Sequence, residues 1–236
     1  MDIEKNFNEK SHAYIAGKFY QYFIEIDKKI GTNAFINATQ YYAEQRGRRM
    51  ALRAIRDGKN LDFETYLSYG EWVSTDYSKK IGQANDNQLE HKDSSVDLYI
   101  HTCPWNKQFE EMGSIEAGRV YCKYLDSSIS RGFNPDIEYK VEQTLYNNPV
   151  CIHRINDEKL SSKLNISRNE DSILPFSFHC SHIYWSFAEV SSSVFSLEGQ
   201  AINQKVLEDL AKDYDDNMVE IILSYKDHNF NTIGTR

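Results

Sequence analysis

His101–His153 reads HTCPWNKQFEEMGSIEAGRVYCKYLDSSISRGFNPDIEYKVEQTLYNNPVCIH, and these 53 residues decide the fold. Just upstream, Val96, Leu98, Ile100 and Thr102 alternate with Asp97, Tyr99, His101 and Cys103, the two-residue period of a strand that turns His101 and Cys103 to one side. Pro104 then opens a short helix that Gly113 closes. Ser114 is a candidate cap for the next helix, whose first turn carries Glu116 where the helix dipole favours an acid. Along that helix Gly118, Cys122, Leu125 and Ile129 form one stripe. Asp126 stands one turn after Cys122, so thiol and carboxylate share a face. Ile137, Tyr139, Val141, Gln143 and Leu145 alternate with polar residues as a half-buried strand. After the turn Asn147-Asn148-Pro149, Cys151 and His153 share one side of the returning strand. The stretch predicts a small antiparallel sheet against helices.

Helical spacing dominates on both sides. Ile15, Phe19, Tyr22, Phe23, Ile26 and Ile30 predict an amphipathic helix over about residues 9 to 29, stopped by Gly31. Thr32 would cap a second helix running to Gly58, giving an antiparallel hairpin. Residues 59–75 predict a third helix, and KKIGQANDNQLEHKDSS (79–95) a loop. Residues 156–173 read as a linker. Beyond them Ser181-His182-Ile183-Tyr184 echoes Ser11-His12-Ala13-Tyr14, and Gly199 follows His182 by 17 residues as Gly31 follows His12 by 19, a degenerate duplication of the hairpin. The fold expected is α+β, mainly helical, with a small antiparallel sheet in the middle and helical hairpins at both ends. Its regions would be 1–92 (helical), 93–158 (α+β, with the Cys/His/Asp residues) and 174–236 (helical hairpin), or one compact domain overall.

Composition narrows the function. With 27 basic and 35 acidic side chains the formal charge is −8, which argues against nucleic acid or an anionic membrane as main partner. The N-terminus MDIEKNFNEK has neither the basic start nor the apolar run of a signal peptide, and a cytoplasmic location is expected. The four cysteines, spaced 19, 29 and 29 residues apart with no CxxC pair, are expected as free thiols. Arg46, Arg49, Arg53 and Arg56 share one helix face, either as a solvated basic edge or, for Arg49 and Arg53, turned inward to hold a substrate carboxylate. Gly47 among them hints at close approach by another element.

The hairpin sequence RGRRMA (46–51), the strand ending in Cys103, Gly113, Tyr121-Cys122, Asp126, Asn134-Pro135, Thr144-Leu145 and Cys151 together resemble the L-2-amino-thiazoline-4-carboxylate hydrolase family, over about residues 10–155. The resemblance implies a cofactor-free hydrolase that opens a cyclic amidine ring with water to give an N-carbamoyl amino acid, an activity often found beside biosynthetic enzymes. The chain departs from the family pattern at Asn147-Asn148, where a glycine is expected.

Hydrolysis at an amidine-like carbon needs a nucleophile, a proton carrier and donors for the tetrahedral intermediate. Cys122 is the candidate nucleophile, Asp126 the group that orients the base or activates water, and His101 or His153 the base. Cys103, Trp105 and Tyr121 would wall the substrate pocket, with Arg49 and Arg53 on its carboxylate. The expected reaction is hydrolysis of a carbon–nitrogen bond in a small cyclic amidine or amide bearing a carboxylate. No cofactor and no metal are called for, the partner is the small-molecule substrate, and a homo-oligomer is compatible with the sequence. Two other classes compete: a zinc or iron enzyme using Cys103, Cys122, Cys151 and a histidine as scattered ligands, and a small-molecule binding domain that does no chemistry. Cys103, Cys151 and Cys180 also fit plain packing, as buried thiols often do.

Overall fold

A computed structural model describes residues 3–92, 95–157, 164 and 166–233. A single turn, α1 (Ile3–Asn6), leads into α2 (Glu9–Ile26) and the long α3 (Lys28–Arg56). The Asn8 side chain accepts from Lys10 N and Ser11 N while Ser11 Oγ accepts from Asn8 N, a reciprocal cap that fixes the start of α2. The hairpin bends at Asp27 and not at Gly31. Asp27 lies in extended backbone, its N–H donates to Phe23 O, and its carboxylate accepts from Ile30 N, so one residue closes α2 and caps α3. Gly31 sits inside α3, where a Cβ would collide with the Phe23 carbonyl of α2. Thr32 caps nothing; its hydroxyl donates back to Lys28 O within α3.

The third helix is cut short. Only α4 (Phe63–Ser68) forms, because Glu71 is drawn into the core by arginines of α3 and Trp72 lies under the Arg46 guanidinium. The expected loop 79–95 is also corrected: after α5 (Asp76–Lys80), β1 (Asp86–Lys92) pairs antiparallel with β2 (Ser95–Thr102). Asp93 and Ser94 fall outside the described residues. All of β1 but Leu89 is exposed on both faces, so no alternation marked it.

The middle follows its periodicity. Helices α6 (Pro104–Glu111) and α7 (Ile115–Phe133) are separated by Gly113, whose φ of +66° suits a residue without a side chain. Ser114 precedes α7 but makes no side-chain cap; its hydroxyl accepts from Gln21 Nε2 instead. Strands β3 (Glu138–Gln143) and β4 (Cys151–Asn156) complete an antiparallel sheet of order β1-β2-β4-β3. Helix α7 packs along α3, and the expected close approach at Gly47 occurs there: a Cβ would strike Ile129 O of α7. The fold class is thus the expected one, mainly helical α+β with a small antiparallel sheet.

Of the polar stretch 156–173, residues 158–163 and 165 fall outside the described residues. Its second half lies against the chain after α4: Asn169 N donates to Ser68 O and Arg168 Nη1 to Trp72 O. Helix α8 (Phe176–Phe195) turns at Ser196, φ +55°, into α9 (Leu197–Asp213), and α10 (Asp216–Ser224) follows. The echo with the first hairpin is geometric. Gly199 meets Ser191 O of α8 just as Gly31 meets Phe23 O of α2, each reaching eight residues back across its hairpin. The two echoed segments also face each other, with Ser11 Oγ 3.6 Å from Cys180 Sγ, and His12 and His182 both on Tyr42. One apolar core joins α2, α3, α7 and α8–α10, with Phe23, Phe19, Phe187 and Phe35 linked in that order by ring contacts.

Candidate active site

Strand alternation turns both Cys151 and His153 of β4 into the protein, and α7, packed on the neighbouring β3, brings Asp126 toward His153. Cys151 Sγ lies 3.1 Å from His153 Nε2. The other ring nitrogen, Nδ1, is 2.8 Å from the Tyr139 hydroxyl of β3 and 3.9 Å from Asp126 Oδ2 of α7. Asp126 and Cys122 are both half-buried. One turn before Cys122 stands Gly118, where a Cβ would occupy the place of the Tyr146 hydroxyl; the missing side chain lets Tyr146 lie beside the Cys122 thiol.

The electrostatics favour neutral partners. Burial, and then the neighbouring Cys103, Cys151 and Asp126, push the Cys122 thiol well up. Burial and then Asp126 raise Cys151 to about 12, and burial raises Cys103 to about 11. Burial lowers His153, with Asp126 opposing. The resting pair at neutral pH is therefore thiol and imidazole, not thiolate and imidazolium. Proton transfer between them belongs to the moment of attack.

The arginine face is not a solvated edge along most of its length. Arg49 is fully buried and grips the equally buried Glu71 at two points, Nε to Oε1 at 3.0 Å and Nη2 to Oε2 at 2.7 Å, while its Nη1 donates to Phe230 O at 2.6 Å. Arg53 Nη1 donates to the same carboxylate at 2.6 Å. The two residues expected to hold a substrate carboxylate therefore hold Glu71 instead. Arg46 is also buried, its guanidinium stacked 3.6 Å above the Trp72 ring, but its Nε is 3.7 Å from Glu71 and has no hydrogen-bond partner among the described residues. Arg56 alone of the four points outward, to Asp57.

The remaining candidates divide. His101 is exposed on β2, and Cys103, the residue before α6, is half-buried in extended backbone. Trp105 donates from its indole to His12 Nδ1 at 3.0 Å, inside the core. Tyr121 is buried with a hydroxyl that has no partner among the described residues. The structure thus brings Cys122, Asp126, Cys151 and His153 together and leaves His101 and Trp105 out. Tyr139 and Tyr146 complete the group although nothing in the sequence singled them out as site residues; Tyr139 was legible as a strand position, but its contact with His153 required the pairing of β3 with β4. Among the described residues no group of three or more His, Cys, Asp or Glu is arranged to hold a metal ion. Nor is any helix among them long and apolar enough to cross a membrane.

A half-buried helix face carrying Cys122 and Asp126 against a thiol–imidazole pair on a small sheet defines the class: a mainly helical α+β protein with a thiol-rich site. The sequence matches the family model described as L-2-amino-thiazoline-4-carboxylic acid hydrolase over residues 8–151, which holds every residue of that site but His153, and the chain belongs to this family. The family's name implies hydrolase activity. No curated protein and no solved structure matches the chain.

Proposed function

We propose that the protein hydrolyses a small cyclic amidine or amide that bears a carboxylate, opening its ring. The observation that carries this reading is the 3.1 Å contact between Cys151 Sγ and His153 Nε2, with Asp126 and Tyr139 on the opposite nitrogen. A neutral imidazole donates from one nitrogen and accepts at the other. Asp126 beside Nδ1 favours the proton there, which leaves Nε2 to accept the Cys151 proton as sulfur attacks the amidine carbon. The tetrahedral adduct then collapses. The bond from that carbon to a ring heteroatom breaks, nitrogen in an amidine or amide ring and sulfur in a thiazoline, and the leaving atom takes the proton from His153. Water, deprotonated by the same Nε2, next attacks the thioester-like carbon and frees Cys151. Asp126 stabilises the imidazolium in both halves. Cys122, the thiol one turn from Asp126, lines the same space.

A second reading, with Cys122 as nucleophile, is favoured by its greater exposure, half-buried where Cys151 is buried. Parallel Cys151→Ser and Cys122→Ser variants, incubated with a panel of carboxylate-bearing thiazolines, imidazolines and cyclic amides and read by mass spectrometry, separate the two. Loss of the nucleophile should cost on the order of a hundredfold or more in turnover. Loss confined to Cys122→Ser would reassign the attack. A folded wild-type protein that turns over nothing in the panel would leave a binding domain in place of an enzyme.

A further inference from the structure

The buried arginine layer carries more positive than negative charge. Arg46, Arg49 and Arg53 converge on Glu71, which among the described residues is the one carboxylate in ion-pair contact with any of them. The three histidines packed into this layer do not add charge but cannot remove it: burial, and then neighbouring charge, lowers His12 and His182 well down, and burial lowers His179 to about 3. Their hydrogen bonds agree. His12 Nδ1 accepts the Trp105 indole N–H, and His182 Nδ1 faces Arg49 Nη2 at 3.3 Å. Three guanidinium groups thus share one carboxylate, and Arg49 and Arg53 take its close hydrogen bonds. Arg46 is left over. It is 5 % exposed, and its Nε and Nη1 have no hydrogen-bond partner among the described residues. A buried guanidinium with free N–H groups is a costly arrangement that an incoming anion relieves.

Arg46 shares neighbours with the helix face that carries Cys122 and Asp126. Its platform, Trp72, meets His12 edge-on at 5.8 Å, and the Tyr121 ring meets the same imidazole edge-on at 6.5 Å. Tyr121 immediately precedes Cys122 on α7, and its hydroxyl, like His179 Nδ1 in this layer, is buried without a hydrogen-bond partner among the described residues. The charges of both Arg46 and Asp126 reach the Tyr121 and Tyr66 hydroxyls, so the guanidinium and the Cys122–Asp126 face flank common neighbours.

We propose that Arg46, with the Tyr121 hydroxyl, is the anchor for the substrate's carboxylate. This replaces Arg49 and Arg53 in that role and rests on the hydrolase reading above for the identity of the ligand, while the site itself asks only for a small organic carboxylate. The Glu71 cluster holds the α3 face rigid, and Arg46 is the member of the arginine row left to bind. A substrate pinned at this end presents its ring to Cys122, Cys151 and His153.

The test measures binding by calorimetry to full-length Cys151→Ser protein, which holds the ligand without consuming it. The probes are L-2-amino-thiazoline-4-carboxylate and 2-amino-2-thiazoline, which lacks the carboxylate. The carboxylate should bind more tightly by roughly ten- to a hundredfold, the range of a charge-assisted hydrogen bond. Arg46→Met should reduce that preference to near unity. Tyr121→Phe, which leaves the fold intact even if Arg46→Met does not, should cut carboxylate affinity by about two- to tenfold and leave the decarboxylated probe unaffected. Equal binding of the two probes, no binding of either, or an undiminished preference in either variant overturns the anchor. Wild-type protein that shows the Arg46-dependent preference yet opens no ring would remove the hydrolase reading and keep the anchor.

Discussion

Arg49 and Glu71 form a two-point ion pair with no solvent access to either side chain, Nε to Oε1 at 3.0 Å and Nη2 to Oε2 at 2.7 Å. It ties the middle of α3 to the chain just after α4, and Arg49 Nη1 extends the tie to the C-terminal segment through Phe230 O. Removing one member leaves the other charged and unsatisfied. Glu71→Gln is therefore expected to lower unfolding free energy by about 3–5 kcal/mol, read by urea denaturation. Because Gln keeps the shape, a loss below about 1 kcal/mol would mean the pair contributes no more than a surface bridge.

The same cluster sets the acid limit of the fold. Burial pushes the Glu71 carboxyl up, but Arg49 and Arg53 together outweigh it and hold Glu71 at about 2, below its ordinary 4.5. A lowered carboxyl contributes stability that is present above its unfolded value and lost as pH falls from about 4.5 through about 2. The buried histidines act earlier. His12, His179 and His182 are all held below 6.5, so the unfolded chain binds their protons first, and stability falls as pH drops below 6.5. Unfolding free energy should thus be flat between about pH 7 and 8, decline from about 6.5, and decline again below about 4.5. Urea titrations at a series of pH values check the two stages; a plateau extending from neutrality down to pH 5 would contradict the histidine assignment.

The echo between the hairpins predicts matched sensitivities. At Gly31 and at Gly199 a methyl group would strike a backbone carbonyl of the preceding helix, Phe23 O and Ser191 O, and a carbonyl cannot swing aside as a side chain can. Gly31→Ala and Gly199→Ala should each destabilise by about 1–3 kcal/mol, although alanine is the better helix former. Thermal melts of both variants serve as the measurement, and a stabilised Gly199→Ala would show that the second hairpin is not packed like the first.

Much of this was legible in the chain because periodicity records burial. Helix α7 and the pair β3–β4 each have one buried and one exposed face, and their residues alternate accordingly. Strand β1 has none: six of its seven residues are exposed, so nothing in its composition distinguished it from a loop. Helical spacing put Arg46, Arg49, Arg53 and Arg56 on one face but could not say that Glu71, a residue in a segment read as helix, would fold back to occupy two of them. Cys151 and His153 were legible as neighbours on one side of a strand. Their 3.1 Å contact, and the approach of Asp126 from α7, required the strand's register against the helix.

His153 offers a direct reading of its partners. Burial lowers its titration below 6.5, and Asp126, with Oδ2 at 3.9 Å from Nδ1, works against that shift. Asp126→Asn removes the opposing charge, so the His153 titration followed by NMR should move to still lower pH. An unchanged or raised value would detach Asp126 from the imidazole.

The four cysteines give the last prediction, and it bears on how the thiol would be activated. Burial raises every one of them: Cys103 to about 11, Cys151 and Cys180 to about 12, and Cys122 well above its ordinary value. Among the described residues no guanidinium or imidazolium opposes this, and His153 beside Cys151 is itself held neutral. A preformed thiolate would alkylate quickly near neutral pH; a neutral thiol awaiting a general base would not. Iodoacetamide labelling of the native protein at pH 7.5, read residue by residue by mass spectrometry, should therefore be slow at all four positions, at least about tenfold slower than for a free thiol of pKa near 8.5, and become rapid in denaturant. Half-buried Cys103 and Cys122 should lead the two buried thiols through their access alone. Fast labelling of Cys151 that disappears in His153→Ala would instead reveal a thiolate–imidazolium pair, and attack would then need no proton transfer at its onset.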